Sequence, residues 1–314
     1  MYINATGCYV PEARVDNAHF LPLNGLTDEW ISKRTGIHTR SHVGEGESQE
    51  TMAIEAVRRA LPSLPYSIGE VDLIVAAAYS AIDNVGTVAH LVQREWDIKG
   101  AKCVACTSAC SSLINGMEII EGYFAMGKAS KALLISSEQN SYYANETDPK
   151  CGHLWGDGAV AIFLSAEPCG EGEPRVVEVH TSGLGHLGKG PEGVKLRPRE
   201  GGITMPDGRD VFIHACDEMV RELEAVTAPQ GLTPGELDRI ITHQANARIA
   251  GQIIHRLGMD AERFPSNIGE LGNTGSASAG IVFAQQRGDF APGERVGMTV
   301  FGGGYSSGAC LIEM

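Results

Sequence analysis

Short apolar runs, none long enough to cross a membrane, alternate along this chain with stretches of helical length and spacing, and this alternation is the strongest constraint on its fold. Leu73–Ala78 (LIVAAA) reads as a buried strand preceded by a helix over Glu50–Leu61. Cys103–Ala105 reads as a second strand, Ser112–Met126 as a helix stopped by Gly127, and Ala132–Ser136 as a third strand. Ala159–Leu164 follows the turn Gly156-Asp157-Gly158. The later part repeats the theme. Strands are expected at Val176–His180, Arg239–Thr242, Val296–Phe301 and Ala309–Glu313, and helices across Asp210–Thr227, Ala247–Leu257 and Ser276–Gln286. Such a pattern predicts an α/β protein with helices on both sides of a sheet. A strand-turn-helix unit around Cys110 and another around His243 suggest an internal pseudo-repeat. The Pro- and Gly-containing segment Glu167–Pro174 is the expected boundary, dividing residues 1–168 from 169–314. Gly183–Gly202 reads as a loop that covers the site.

With 314 residues, 43% of them hydrophobic, the chain can bury a substantial core. Its N-terminus lacks the basic and apolar regions of a signal peptide, so a cytoplasmic protein is expected, with no membrane partner. The net charge of −14 argues against nucleic acid as a partner, because phosphate backbones select basic surfaces. Eight scattered cysteines read as reduced thiols rather than a disulfide framework. Cys103, Cys106 and Cys110 cluster, but no second pair at ligand spacing follows, so no metal is expected.

Cys110 stands where an apolar run breaks into Thr-Ser-Ala-Cys ahead of a helix. The positive end of a helix dipole and the free N–H groups of its first turn favour thiolate there. His243 follows an apolar strand directly, in Thr-His-Gln-Ala-Asn, where it caps a helix or serves chemistry. Asn273, in Leu-Gly-Asn-Thr-Gly-Ser, suits a turn equally well. Gly302-Gly303-Gly304 between two strands forms a hairpin or lets backbone N–H groups approach a ligand, and no Gly-Lys-Ser/Thr follows to make a phosphate loop. Together these residues supply what acyl transfer through a thioester needs: a nucleophile, donors for a developing oxyanion, and groups that manage charge on a second carbonyl.

In this order the motifs resemble β-ketoacyl-acyl-carrier-protein synthase III, an initiating condensing enzyme of the thiolase-like superfamily. The resemblance runs from Asp28-Glu29-Trp30-Ile31 and Arg34-Thr35-Gly36-Ile37 through Cys110, Gly156-Asp157-Gly158-Ala159, His243-Gln244-Ala245-Asn246 and Gly272-Asn273-Thr274 to Phe301-Gly302-Gly303-Gly304. It implies a five-layered αβαβα thiolase-like fold built from two duplicated halves, and a homodimer. It implies catalytic roles for Cys110, His243 and Asn273, with an oxyanion hole from the N–H groups of Cys110 and Gly303. Acyl-coenzyme A and malonyl-acyl-carrier protein are the implied substrates, with no cofactor. Trp30, Arg34, Arg248 and Arg256 are implied to meet coenzyme A or the carrier protein. Tyr79, Asn140, Trp155 and, from the opposite subunit, Val85 are implied to line the acyl pocket.

The chain departs from the common pattern in several places. Ser111-Ser112-Leu113 follows the nucleophile where Ala-Gly-Phe is usual, Ile213 occupies a basic docking position, and Lys150 lies in a loop without the usual Arg register. A buried amide needs partners, so Asn140 suggests a polar or functionalised acyl group. Alternatives are a specialised synthase-III-like enzyme of secondary metabolism that condenses an unusual acyl thioester with a β-ketoacyl thioester, or transfers the acyl group to an alcohol or amine without losing carbon dioxide; an inactive partner of a condensing heterodimer; and a cysteine protease.

Overall fold

The computed structural model describes residues 1–314. Nine strands form one continuous network: β1 (Tyr2–Tyr9), β2 (Leu73–Ala77), β3 (Lys102–Cys106), β4 (Lys131–Gln139), β5 (Asp157–Ser165), β6 (Arg175–Gly183), β7 (Arg239–Thr242), β8 (Arg295–Gly302) and β9 (Ser306–Glu313). Seven helices carry the argument: α1 (Asp28–Thr35), α2 (Gln49–Ala60), α3 (Val88–Glu95), α4 (Ser112–Ala125), α5 (Gly208–Thr227), α6 (Ala247–Leu257) and α7 (Ser278–Gln286).

The strand order is β7-β8-β9-β6-β1-β5-β4-β2-β3, and its middle joint, β6 to β1, rests on the single pair Tyr2 and Arg175. On one side of the joint β2 runs parallel to β4, β4 antiparallel to β5, and β5 antiparallel to β1. On the other, β7 runs parallel to β8, β8 antiparallel to β9, and β9 antiparallel to β6. The pairing pattern repeats, which is the duplication expected from the sequence, and β3 is an extra edge strand beside β2. One expectation is corrected here. His243 follows β7, whose counterpart is β2, whereas Cys110 follows the extra strand β3, so the two residues do not occupy equivalent points of the repeat. We propose that the halves divide at 168/169, within the turn between β5 and β6.

Alternating strand residues decide the layering. Leu73, Val75 and Ala77 of β2 face a central apolar cluster together with Leu113, Ile114, Met117 and Ile120 of α4 and Ile281, Val282 and Phe283 of α7. That cluster also takes Val296, Met298 and Val300 of β8. The intervening Ile74 and Ala76 point the other way, onto Met52, Ala56 and Val57 of α2 and Ala89 and Val92 of α3. Beyond the second half-sheet, Met219, Leu223 and Val226 of α5 pack with Ile249 and Ile253 of α6. The layers therefore run helix, sheet, helix, sheet, helix. No helix is long and apolar enough to cross a membrane.

Element boundaries fall close to those expected. The Ser276–Gln286 stretch begins as a 3-10 turn at Gly275–Ala277 before α7. Gly183–Gly202 is more ordered than a plain loop, because Lys195–Arg197 pairs antiparallel with Gly202–Thr204. The close approach of α4 to the first half-sheet depends on Gly116, where a Cβ would lie 2.6 Å from Leu134 Cδ1 and 3.0 Å from Ala77 Cβ. Gly116→Val is expected to destabilise the fold by about 1–3 kcal/mol or more, through overpacking. A fall in denaturant midpoint at unchanged slope would show it.

Candidate active site

The turn Thr107–Ser111 links β3 to α4 and presents Cys110. Ala109 just before it has φ +49, a left-handed conformation that costs a residue with a Cβ and persists only where the surroundings enforce it. Three serines supply that enforcement. Ser112 Oγ accepts from Ser108 N–H at 2.8 Å and donates to Ala109 O at 2.6 Å. Ser111 Oγ donates within the same turn to Ser108 O at 2.7 Å and lies 2.8 Å from Ser306 Oγ, at the start of β9. The unusual Ser111-Ser112 pair thus braces the turn.

The glycine turn after β8 closes on this thiol. A Cβ on Gly302 would fall 2.5 Å from the Cys110 nitrogen and 2.9 Å from its Cβ, so only glycine fits. The N–H groups of Cys110 and Gly303 donate to no other group of the chain. Unspent N–H donors beside a nucleophile have the arrangement of an oxyanion hole.

His243 is the first residue beyond β7 and is buried. Its Nδ1 lies 2.7 Å from Ser278 Oγ, the first residue of α7. Ser278 Oγ also accepts from Gln244 N–H at 3.3 Å and has no other partner for its own hydrogen. The hydroxyl therefore donates to Nδ1, which leaves the ring proton on Nε2, facing the cavity. Burial holds the imidazole neutral, pulling its pKa down to about 4.

Asn273 is fixed on all but one side. Its N–H donates to Leu154 O at 2.8 Å, its carbonyl accepts from Gly156 N–H at 2.9 Å, and Oδ1 accepts from Gly275 N–H at 3.0 Å. The remaining Nδ2 has no partner within the chain. Cys110, His243 and Asn273, with Trp155, Phe301, Gly302 and Gly303, line one cavity of about 40 Å³. The first comes from one half of the fold and the other two from the second.

Burial changes one expectation. The Cys110 thiol is pushed up to about 12, chiefly by desolvation and then by the nearby Glu138 carboxylate, with the Tyr79 hydroxyl pulling the other way. The resting group is a neutral thiol rather than the thiolate that the helix start alone suggests, because removal from water outweighs the dipole.

A larger cavity of about 530 Å³ continues past Cys110 between Tyr79, Trp155, Val194 and Leu196. The loop expected to cover the site supplies Pro191, Val194, Lys195 and Leu196 to its wall. Asn140 is fully buried but spends its amide on the protein. Its Nδ2 donates to Gly156 O at 2.8 Å and Asn273 O at 3.3 Å, and Oδ1 accepts from the Tyr79 hydroxyl at 2.8 Å. This removes the ground for expecting a polar acyl group. Val85 is 88% exposed and does not line this chain's own cavity.

On the other side Met205 joins the small cavity to a surface cleft of about 720 Å³. Thr27 caps α1 by accepting from Trp30 N–H, and Gly36 ends the helix at φ +75. Trp30 and Arg34 are one turn apart, and the Arg34 guanidinium sits 4.3 Å from the Trp30 ring centroid. A Cβ on Gly36 would come within 2.5 Å of Ala247 Cβ, so the end of α1 abuts the start of α6 and brings Arg248 to the same cleft. Lys150 and Arg209 complete a basic lining, with Ile213 beside them. Arg256 does not join it: two turns further along α6, it donates to Cys216 O and pairs with Asp217 at 2.5 Å.

Sequence reasoning passed over Ser278, Arg209 and Glu138. Only Ser278, on the first turn of a helix beside the Asn273 loop, carried a local signal. Iodoacetamide labelling of Cys110, followed by peptide mass spectrometry, is expected to rise about tenfold per pH unit from pH 7 to 9.5 without a plateau. A raised thiol pKa leaves the thiolate fraction still climbing throughout that range.

Residues 105–185 match the family model described as 3-oxoacyl-[acyl-carrier-protein] synthase III, and residues 228–314 match the model of its C-terminal part. A β-ketoacyl-[acyl-carrier-protein] synthase III of Nitratidesulfovibrio vulgaris is 34% identical over 319 residues, spanning 98% of this chain and 97% of that protein. The crystal structure of 3-oxoacyl-[acyl-carrier-protein] synthase III from Aquifex aeolicus superposes with a TM-score of 0.92 at 30% identity, covering 100% of this chain and 99% of the other. The priming β-ketosynthase of a polyketide biosynthetic pathway superposes with a TM-score of 0.88 at 25% identity, covering 99% of this chain and 96% of the other.

Proposed function

Since the chain belongs to the β-ketoacyl-acyl-carrier-protein synthase III family, whose members are condensing acyltransferases, we propose that Cys110 carries the acyl primer and that His243 and Asn273 activate the extender. The observation that carries this reading is the convergence of the Cys110 thiol, His243 Nε2 and Asn273 Nδ2 on one cavity beside two unspent N–H groups.

In the first half-reaction the Cys110 sulfur attacks the carbonyl of an acyl-coenzyme A. The tetrahedral oxyanion is held by the N–H groups of Cys110 and Gly303, and coenzyme A departs as the free thiol. In the second, the thioester carbonyl of malonyl-carrier protein accepts hydrogen bonds from His243 Nε2–H and Asn273 Nδ2. As carbon dioxide leaves, these donors stabilise the enolate, whose carbon attacks the acyl-Cys110 carbonyl and expels the thiolate, which takes up one proton from solvent to restore the thiol. A neutral imidazole suits this donor role. These steps use two thioesters as substrates and need no cofactor.

The cleft lined by Trp30, Arg34, Lys150, Arg209 and Arg248 is proposed to receive the phosphates of coenzyme A and the phosphopantetheine of the carrier. It concentrates positive charge on a chain of net charge −14. A homodimer through β3 is proposed because β3 is one of the two sheet edges, with one side unpaired, and Asn84, next to the exposed Val85, lines a cavity together with Ala105 and Cys106 of β3. A cytoplasmic setting follows from the coenzyme A thioester chemistry. Transfer to an alcohol or amine without loss of carbon dioxide is not favoured, because such a reaction has no enolate for Asn273 to stabilise.

Three outcomes are expected. Intact-protein mass spectrometry after incubation with a panel of acyl-coenzyme A donors should show a mass gain that Cys110→Ala abolishes, while Asn273→Ala still loads but loses condensation by about a hundredfold or more. Loading by Cys110→Ala, or normal turnover by a His243→Ala, Asn273→Ala double variant, would defeat the reading. Malonyl decarboxylation should be flat between pH 6 and 8 in its dependence on His243 and fall as pH approaches 4, because the depressed pKa keeps the ring neutral above that value. Arg248→Glu should lower kcat/KM for the carrier substrate about tenfold at low salt, with the difference shrinking as salt rises.

A further inference from the structure

Resting on the reading of Cys110 as the acylated nucleophile, we propose that Tyr79 is a further catalytic residue: its hydroxyl turns from Asn140 to the Cys110 sulfur and donates a hydrogen bond to it as the thiol proton leaves. The need for such a group is built into the site. Cys110 is buried, the Lys195 ammonium in the wall of the larger cavity is paired with Glu192 at 2.6 Å, and the charge that acts on the thiol is the Glu138 carboxylate from the end of β4, which opposes ionisation. His243, the other titratable group in the small cavity, is neutral and is held through Nδ1 by Ser278. That leaves the loop after β2, which contributes Tyr79.

The Tyr79 hydroxyl is boxed in. It donates to Asn140 Oδ1 at 2.8 Å, and a Cβ on Gly275 would lie 2.5 Å from it. Cys110 lines the same cavity as Tyr79, and the Tyr79 hydroxyl is the one side-chain group that pulls the thiol's pKa down. Of these neighbours only the sulfur changes charge in the reaction. The backbone of the Tyr79 loop cannot drift, since the N–H groups of Tyr79 and Ser80 both donate to Glu138, at 3.1 Å and 2.9 Å. Asn140 is equally fixed by its two carbonyl partners. The hydroxyl hydrogen is therefore the mobile element, and rotation about the ring C–O bond swings it between two stationary acceptors.

With a neutral thiol the hydroxyl points to Asn140 and its oxygen accepts from S–H. As the sulfur attacks the donor thioester, the S–H bond breaks, the new S–C bond forms and the old C–S bond to the leaving thiol breaks. The Cys110 proton ends on that leaving thiol. Tyr79 keeps its own proton throughout, and burial holds its pKa well above the ordinary phenol value, so it remains a donor. A charge-assisted bond of this kind favours the thiolate over the thiol.

The test is the pH dependence of Cys110 alkylation and of acylation by acetyl-coenzyme A, in wild type, Tyr79→Phe and a variant with 3-fluorotyrosine incorporated at position 79. Phenylalanine keeps the ring and the packing, so the expected result is an alkylation rate about tenfold lower at every pH, with a parallel log-linear rise displaced by about one unit. The fluorinated side chain, a stronger donor of nearly unchanged shape, should displace the line the other way. Superimposable profiles for all three proteins, or faster reaction in Tyr79→Phe, would overturn the proposal while leaving Cys110 as the nucleophile. Failure of wild type to acylate at Cys110 with any donor, including carrier-bound primers, would overturn the underlying reading and this one with it.

Discussion

The site hangs on one buried carboxylate. Glu138, at the end of β4, accepts hydrogen bonds from the N–H groups of Tyr79 and Ser80, the Ser80 hydroxyl and the Ser276 hydroxyl. Burial pushes its pKa up while these four donors pull it down. An unpartnered charge in such a position costs several kcal/mol, so the donors are a condition of its being there at all. Through them the carboxylate fixes three segments: the loop after β2 that carries Tyr79, the end of β4 that leads into Asn140, and the turn that runs from Asn273 into α7. Two of those segments belong to the first half of the fold and one to the second, so Glu138 acts as a staple between halves whose sheets meet at a single residue pair.

The same logic explains why the three polar side chains of the cavity point where they do. Each has its inward-facing atom left free because every other polar atom is committed. Ser278 takes one nitrogen of His243, Gly275 takes the Asn273 oxygen, and the serines at 111 and 112 hold the turn that carries Cys110. Preorganisation here is achieved by committing the other polar atoms of His243 and Asn273 and leaving free the ones that meet substrate.

That division also marks what the sequence discloses. Strands such as β2 and helices such as α6 were legible because periodicity is a local property, and Cys110, His243 and Asn273 were legible because each sits where a periodic run stops. The fold and family followed from the order of those stops. What stayed hidden depends on contacts across long separations. Ser276 reaches Glu138 over 138 residues, and Tyr79 reaches Asn140 over 61. Asn140 was misread because an amide in a pocket wall looks available until its three partners are seen. The thiol was misread because the helix start is a local signal, while desolvation is a property of everything packed around it. Arg256, placed with Arg248 by type and helix, is carried away from the cleft by the length of α6.

The edge position of β3 has a consequence for how the enzyme works as a population of molecules. Lys102–Cys106 runs directly into the turn that holds Cys110, and in the lone chain one side of that strand has no hydrogen-bonding neighbour. A strand paired on one side frays more readily than one paired on both, and here fraying would propagate into the strained Ala109 and the thiol beyond it. In the proposed dimer the pairing of β3 would hold the nucleophile turn in place, so a subunit diluted below the dimer's dissociation constant would lose catalytic geometry before it lost its fold. Activity would then be a property of concentration as well as of sequence.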